Sequence, residues 1–493
     1  MRVHPFRTGP MPRREVSRGD WRRTGDALAA GRMPLLGLWA SEGAVHVALG
    51  QEVVGVEIRS LRLQAGDFPA IGPQHPPAAR LERAIGDLFG YEAQGASDAR
   101  PWLDHGRWEV RHPLGAAEPA GAPARYSFLP VEGKSLHRVL VGPVHAGVIE
   151  PGHFRFTVQG ETVVRLEQRL GYTHKGIEGL MRGATLARGA ALAGRTSGDS
   201  TVAYAWAFAQ AAEAALAVAV PERALWLRLV MAELERLANH LGDIGAICND
   251  AGFAMMHAQT SVLRERVLRA AMAAFGHRLM RDRVVPGGVA ADLDRDGEAA
   301  IRGLLGEIGR RFPGLVRLYD GTASLQDRTV GTGRVAPERA AEFAAGGYVG
   351  RAAGRDFDAR RDLAYPPYDR LELAVPVRAE GDVDARVRIR IAEVEASLAL
   401  VAAALDGMPE GPVRAEVPEA AGPVEGLGLV EGFRGDILVW LALGADGRIG
   451  RCHLRDPSWF QWPLLEAATE GNIIADFPLC NKSFNCAYSG HDL

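Results

Sequence analysis

The chain has 493 residues, 47% of them hydrophobic, enough to bury a sizeable core and to divide into two domains. Its 57 lysines and arginines nearly balance 60 aspartates and glutamates, and the net charge of −3 excludes binding to nucleic acid or an anionic membrane through a global basic field. Four cysteines, Cys248, Cys452, Cys480 and Cys486, form no CxxC pair and are too few for a disulfide framework, which points to a reducing compartment.

The N-terminus through Arg23 is basic but has no apolar run of the secretory kind. Residues 33–58 alternate short apolar runs with Ser-Glu-Gly and Gly-Gln breaks, which predicts small antiparallel strands. Next, Leu81, Ala84, Ile85 and Leu88 recur at helical spacing and Gly90 ends the run, completing a compact α+β unit. Residues 112–128 concentrate Pro, Gly and Ala without a period, so the division is placed there: a domain at 1–111, a linker at 112–128 and a domain at 129–493. Beyond it, β-branched alternation around Gln159-Gly160 predicts a hairpin.

From about Lys175 to Arg283 the pattern is helical. The alanine-rich stretch 201–220 carries Gln210 and Glu213 and falls short of a membrane span. Pro221 is placed to start a helix with an apolar face of Leu227, Val230, Leu234, Leu237 and Leu241, and Glu233, Glu235 and Arg236 between them, as in an amphipathic bundle helix. Segments 262–280 and 384–406 add further helices, and strand-like runs around Asp446-Gly447 predict a second hairpin. The expected fold class is α+β: a small N-terminal α/β domain, then a mainly α-helical bundle domain with a peripheral antiparallel sheet.

Six stretches stand in one order: GPVHAGVIEPGHFRF (142–156), YTHKGIE (172–178), MAELERLANHLGD (231–243), VPGG (285–288), RDFDARRDLAYPPYD (355–369) and EGFRGDILVW (431–440). Together they resemble the large subunit shared by respiratory complex I, where it forms the quinone site, and membrane-bound nickel–iron hydrogenases of the formate-hydrogenlyase type. The first domain, with LERAIGDLFGYE (81–92), resembles the accessory complex I subunit that related proteins carry fused ahead of the large one.

The resemblance is informative where it breaks. In the hydrogenases two CxxC pairs hold nickel and iron, because thiolates are soft ligands for a low-valent redox metal. The early pair follows an arginine as R-x-C-G-x-C, and here that stretch is Arg195-Thr196-Ser197-Gly198-Asp199-Ser200. The late S-L-D-P-C-x-x-C pattern registers with Ser483 to Gly490 and puts Ala487 and Gly490 at its ligand positions. With Ser197, Ser200, Ala487 and Gly490 at the four places, the resemblance implies no nickel, no firmly held cofactor and an emptied chamber. Cys486 falls one residue early and Cys480 six before it, so small buried thiols are expected there rather than a rebuilt metal site. Hydrogenase large subunits carry a tail cut three residues after the last cysteine; Leu493 lies three residues past Gly490, and no processing is expected.

By the same resemblance His145, in Gly142-Pro143-Val144-His145, matches a histidine that holds a quinone carbonyl in complex I. The rest of that loop follows the hydrogenase form, and the quinone tyrosine's position falls on Gly198, with Tyr204 near enough to replace it. Glu178 matches a proton-relaying glutamate of the hydrogenases; a helical pair with Arg182 is the structural alternative. The implied site is therefore Glu178, His145 and Asp199 for protons, with His145, Tyr204 and Arg195 meeting a cofactor or quinone. Lysine occurs only at Lys134, Lys175 and Lys482, the last two inside matched motifs, which hints that a compact ammonium is wanted there.

Other candidates are weaker. His145, His153 and His174 lack the helical spacing of a zinc site, and Asp356, Asp358 and Asp362 read as solvated surface charges beside the cavity. Pro286-Gly287-Gly288 lacks the strand–loop–helix context of a nucleotide fingerprint, so NAD or flavin is expected on a partner. The resemblance further implies a small iron–sulfur subunit, antiporter-like membrane subunits, coupled proton or ion movement, and a peripheral place on the cytoplasmic side of a bacterial inner membrane. Two other readings stay open: a non-catalytic scaffold whose cavity is filled by side chains, and a hydrogenase with an atypical site at Cys480 and Cys486.

Overall fold

A computed structural model describes residues 13–51, 55–119 and 126–493; the first twelve residues of the basic N-terminus, residues 52–54 and residues 120–125 of the expected linker lie outside them. Leu35–Ser41, Ala44–Gln51 and Gly55–Arg62 form the antiparallel meander that the alternation predicts, and Arg13–Glu15 joins its edge in parallel. The helix Ala79–Phe89 packs against this sheet through Leu81, Ala84 and Ile85, and Gly90, at φ +73°, closes it in the left-handed conformation that glycine adopts without penalty.

The segment expected to be a linker is not a free tether where it is described. Leu114 is buried and donates its N–H to the Leu88 carbonyl at 2.9 Å, and the Arg169 guanidinium lies 3.9 Å over the Tyr126 ring. Its Pro, Gly and Ala content signals irregular backbone, which packs as readily as it swings. One hydrophobic cluster joins Trp21, Leu38 and Phe89 of the first unit to Phe154, Trp462 and Phe484 of the second, so the two share a core.

The predicted hairpin at Gln159-Gly160 is present as His153–Gln159 and Thr162–Arg169, with Leu136–Val141 paired to its first strand. Thr201–Leu216 forms a helix on the strand Val424–Gly432. Here the alanines of the helix meet glycines of the strand: a Cβ on Gly426 or Gly428 would fall 2.0 Å from the carbonyl oxygen of Ala211 or Ala207. This close approach explains the small-residue run that a hydropathy scan reads as a near-span. No helix among the described residues is long and apolar enough to cross a membrane.

The helix Glu222–Asp250 follows Pro221 as expected, with Leu227, Val230, Leu234, Leu237 and Leu241 all fully buried. Its polar residues depart from the amphipathic reading, because Glu233, Glu235 and Arg236 are buried too. The helix Val383–Gly407 covers that side, and burial is tolerated because Glu233 and Arg236 are paired and Glu235 is met by backbone N–H groups. Arg360 bonds Glu233 at 3.0 Å, Tyr368 and Ser397 donate to Glu233 at 2.6 Å each, and Arg236 donates to the Glu431 carbonyl at 2.8 Å. Asp358 belongs to the same network, held by Arg360 at 2.7 Å and Arg351 at 3.2 Å, so it is a core ion rather than a solvated charge. Asp356 stays exposed and pairs with Arg361 at 2.7 Å. The hairpin at Asp446-Gly447 completes a three-stranded antiparallel sheet with Gly435–Leu443 at its centre.

Candidate functional site

The early arginine-led stretch lies between two helices, Leu186–Ala193 and Thr201–Leu216, and faces the C-terminal tail. Ser197 donates to Asp199 at 2.7 Å and Ser200 does so at 3.3 Å. Arg434, from the EGFRGD motif, grips the same carboxylate through two nitrogens at 2.8 and 2.5 Å, and also reaches the Asn485 carbonyl of the tail. Burial pushes the Asp199 carboxyl up, but the Arg434 guanidinium and the serine hydroxyls outweigh it and hold it below its ordinary range. Both serine hydroxyls are thus turned onto a carboxylate.

The other two positions are closed. A Cβ on Gly490 would lie 2.3 Å from Asp456 and 3.0 Å from the Tyr204 hydroxyl, which itself donates to Asp456 at 2.7 Å. Ala487 is fixed through its backbone, its N–H to the Ser458 hydroxyl at 2.9 Å and its carbonyl to the Trp462 indole at 3.1 Å. Arg434 with Asp199, and Tyr204 with Asp456, thus pack against Ser197, Ser200 and Gly490, and the open space that remains lies on the other side of Asp199. The residues present do not suit a nickel–iron centre, since two hydroxyls, a methyl group and a hydrogen replace four soft anionic donors.

The cysteines do not rebuild it. Cys480 packs against Gly333 and Arg386, whereas Cys486 lies in the field of Arg434 and Asp456. Burial pushes the Cys480 thiol up to about 11 and the Cys486 thiol up as well, so neither is a ready thiolate. Among the described residues no group of three or more His, Cys, Asp or Glu is arranged to hold a metal.

The sequence-derived candidates have separate partners. Glu178 is buried and pairs not with Arg182 but with Arg451 at 2.8 Å, with His453 at 2.9 Å and with the Leu454 N–H at 2.9 Å. Burial opposes its charge, yet Arg451 and His453 prevail and hold it down to about 2. His145 is half-buried and hydrogen bonds the Tyr488 hydroxyl at 3.1 Å; burial, aided by Lys482, lowers its pKa, which favours the neutral ring. Tyr204 is wholly buried on Asp456 and offers no free hydroxyl. Arg195 turns outward to an exposed pair with Asp282 at 2.5 and 2.7 Å, away from Asp199, because the backbone bends at Thr196. Of the two motif lysines, Lys175 donates to the Thr196 carbonyl at 2.6 Å and so ties the YTHKGIE segment to the early stretch.

Sequence reasoning missed Arg434, Asp456 and Glu235. Glu235 accepts from the N–H groups of Val202 and Ala203 at 2.7 and 3.1 Å, where the helix after the early stretch begins, and burial pushes it up to about 8. It lines a cavity of about 270 Å³ together with Asp199, Asn239, Arg278 and Met280. Arg434 and Glu235 stood inside matched motifs, and that was the available signal.

The geometry defines an α+β unit fused to a helical bundle, with an arginine–carboxylate clamp between the early arginine-led stretch and the C-terminal tail. Known proteins give the family. The chain is 31% identical over 440 residues to formate hydrogenlyase subunit 5 of Escherichia coli (strain K12), covering 86% of this chain and 77% of that protein. It is 31% identical to hydrogenase-4 component G of the same organism, covering 91% of this chain and 80% of the relative, and 30% identical to an NADH-quinone oxidoreductase subunit of Clostridium beijerinckii, covering 68% and 91%. Residues 250–426 match the family of the respiratory-chain NADH dehydrogenase 49 Kd subunit. A chain in the solved structure of a membrane-bound sulfane sulfur reductase, an archaeal respiratory membrane complex, superimposes with a TM-score of 0.69 at 25% identity, covering 74% of this chain and all of that one. The protein belongs to the large-subunit family shared by complex I and membrane-bound hydrogenases, and is a subunit of an oxidoreductase complex of that kind.

Proposed function

We propose that the chain is the electron-handling large subunit of a nickel-free, membrane-associated complex, and that a quinone-class compound meets it at the His145–Tyr488 face beside the iron–sulfur cluster of a small partner subunit. The observation that carries this reading is the Arg434–Asp199 clamp and the Tyr204–Asp456 pair packed against Ser197, Ser200 and Gly490, a donor set without thiolates. Electron transfer then needs an acceptor elsewhere, and the His145 ring and the Tyr488 hydroxyl are polar groups suited to carbonyl oxygens. Leu140, Val144 and Val148 around that loop are exposed, the last almost fully at 99%, which supports a covering partner.

In this reading Asp199 and Glu178 are fixed anions that set the local field, each tied to an arginine. Glu235 is the carboxylate that exchanges a proton near neutral pH, since general acid–base work favours a group poised at the working pH. Proton or ion movement through antiporter-like membrane subunits, and a peripheral position on the cytoplasmic face, complete the proposal by family membership. Quinone reduction by the purified complex tests it: His145→Ala is expected to lower turnover on the order of a hundredfold, whereas a scaffold subunit is indifferent. The likeness to a sulfane sulfur reductase complex makes sulfane sulfur the second acceptor to run in the same assay.

A further inference from the structure

Apart from the site above, a cavity of about 620 Å³ lies where the first unit meets the second, a volume within the range of small-molecule sites. Residues between 101 and 112, with Tyr126 and Phe128, line one side of it, and His153, Arg169 and Tyr172 line the other. Its charges do not balance. Arg107, Arg111 and Arg169 all line it, and none of them makes an ion pair among the described residues. Arg169 is buried, and its guanidinium is met only by the carbonyls of Pro101 and Asp104 and by Tyr126. The two carboxylates of the lining are already served by backbone. Asp87 accepts from the N–H groups of Trp102 and Leu103 at 2.6 Å each and of Asp104 at 3.2 Å, and Asp104 accepts from that of Gly106 at 2.6 Å. Burial favours the neutral rings of His105 and His153, and His112 bonds the Asp87 carbonyl at 3.2 Å. Three guanidiniums therefore stand against two carboxylates, and a buried cation without a counter-ion is costly.

The positive charge converges. Burial raises the pKa of the Tyr172 hydroxyl, and Arg169 and Arg107 both pull it back, so two guanidiniums act on one point of the wall. Arg169 is too deep to touch a ligand and contributes only its field, which a low-dielectric surrounding screens little. Arg107 and Arg111 are exposed, and each presents a flat fork of N–H groups that matches a carboxylate. Aromatic rings supply the rest of the lining. Trp108 is held by stacking on His174, with centroids 4.6 Å apart, and Tyr172 stands edge-on to His105 at 4.5 Å. A bare inorganic anion would leave these rings and most of the volume unused. We propose that this cavity binds a small organic anion, a carboxylate carried on a flat aromatic body, with Arg107 and Arg111 holding the carboxylate while Trp108, Phe128 and Tyr172 bed the ring. The inference stands independently of the redox reading, because it uses neither His145 nor the Arg434–Asp199 clamp.

Titration calorimetry of the full chain in its purified complex tests it, with 2-naphthoate as probe, 2-naphthalenemethanol as the uncharged control and acetate as the control without a ring. Saturable one-to-one binding of 2-naphthoate is expected, roughly tenfold or more tighter than either control and weakening as salt is raised, because both arginines are exposed. Arg107→Gln and Arg111→Gln are each expected to weaken 2-naphthoate several-fold while leaving 2-naphthalenemethanol unchanged. Absence of saturable binding, equal affinity for 2-naphthoate and either control, or indifference to both substitutions would overturn the proposal. Both arginines lie at the surface without an ion pair among the described residues, so the two variants are expected to fold as the parent does.

Discussion

At the scale of single residues, the Arg434–Asp199 clamp is the most consequential feature. Arg434 is buried while the Asp199 side chain is about one-third exposed, at 34%, so water partly serves the carboxylate left behind and Arg434→Met is expected to cost about 1–3 kcal/mol in chemical denaturation. Arg434→Met combined with Asp199→Asn is expected to recover much of that, as a double-mutant cycle would register. Glu235 makes a pH prediction with a definite sign. Its carboxyl is raised from 4.5 to about 8 in the fold, so its contribution is full below about pH 4.5 and is lost as the pH rises through about 8. Glu235→Gln is expected to flatten that decline in thermal melts between those limits. Glu178, lowered to about 2, acts in the opposite window and loses its contribution only as the pH falls below about 4.5.

At the scale of elements, what was legible followed from local chemistry. The turn pairs Gln159-Gly160 and Asp446-Gly447, the stop at Gly90 and the start at Pro221 are all chosen by backbone preference, which sequence carries directly. The helix Arg295–Gly321 was not read: Gly303, Gly306, Gly309 and an internal Pro313 argue locally against it, while Ile301, Leu304, Ile308 and Phe312 hold it by packing on the bundle. Glu233, Glu235 and Arg236 misled for the opposite reason, because their charges signal solvent and the groups that match them, Arg360, Glu393 and the N–H groups of Val202 and Ala203, come from other parts of the chain. That serine, alanine and glycine stand at 197, 200, 487 and 490 was legible, but that Arg434 and Asp456 pack against this cluster was not, since both reach it only through folding. The alanine–glycine contact gives a test at this scale. Gly428→Ala forces a Cβ into the Ala207 carbonyl and is expected to destabilise at the upper end of about 1–3 kcal/mol, read from denaturant midpoints.

At the scale of the whole molecule, the shared core makes the two units one cooperative body. Trp102 and Trp459 both pack on His491 of the tail, and Arg80 of the first unit bonds Glu466 of the second at 2.6 Å. Calorimetry is expected to give a single transition; two separable ones would contradict the shared core. We propose that a hydrogenase-type frame works here without a nickel centre, and the nickel content of the purified complex decides the matter. Nickel far below one atom per chain is expected in preparations that retain electron-transfer activity. One nickel per chain, lost together with activity on chelation, would contradict it.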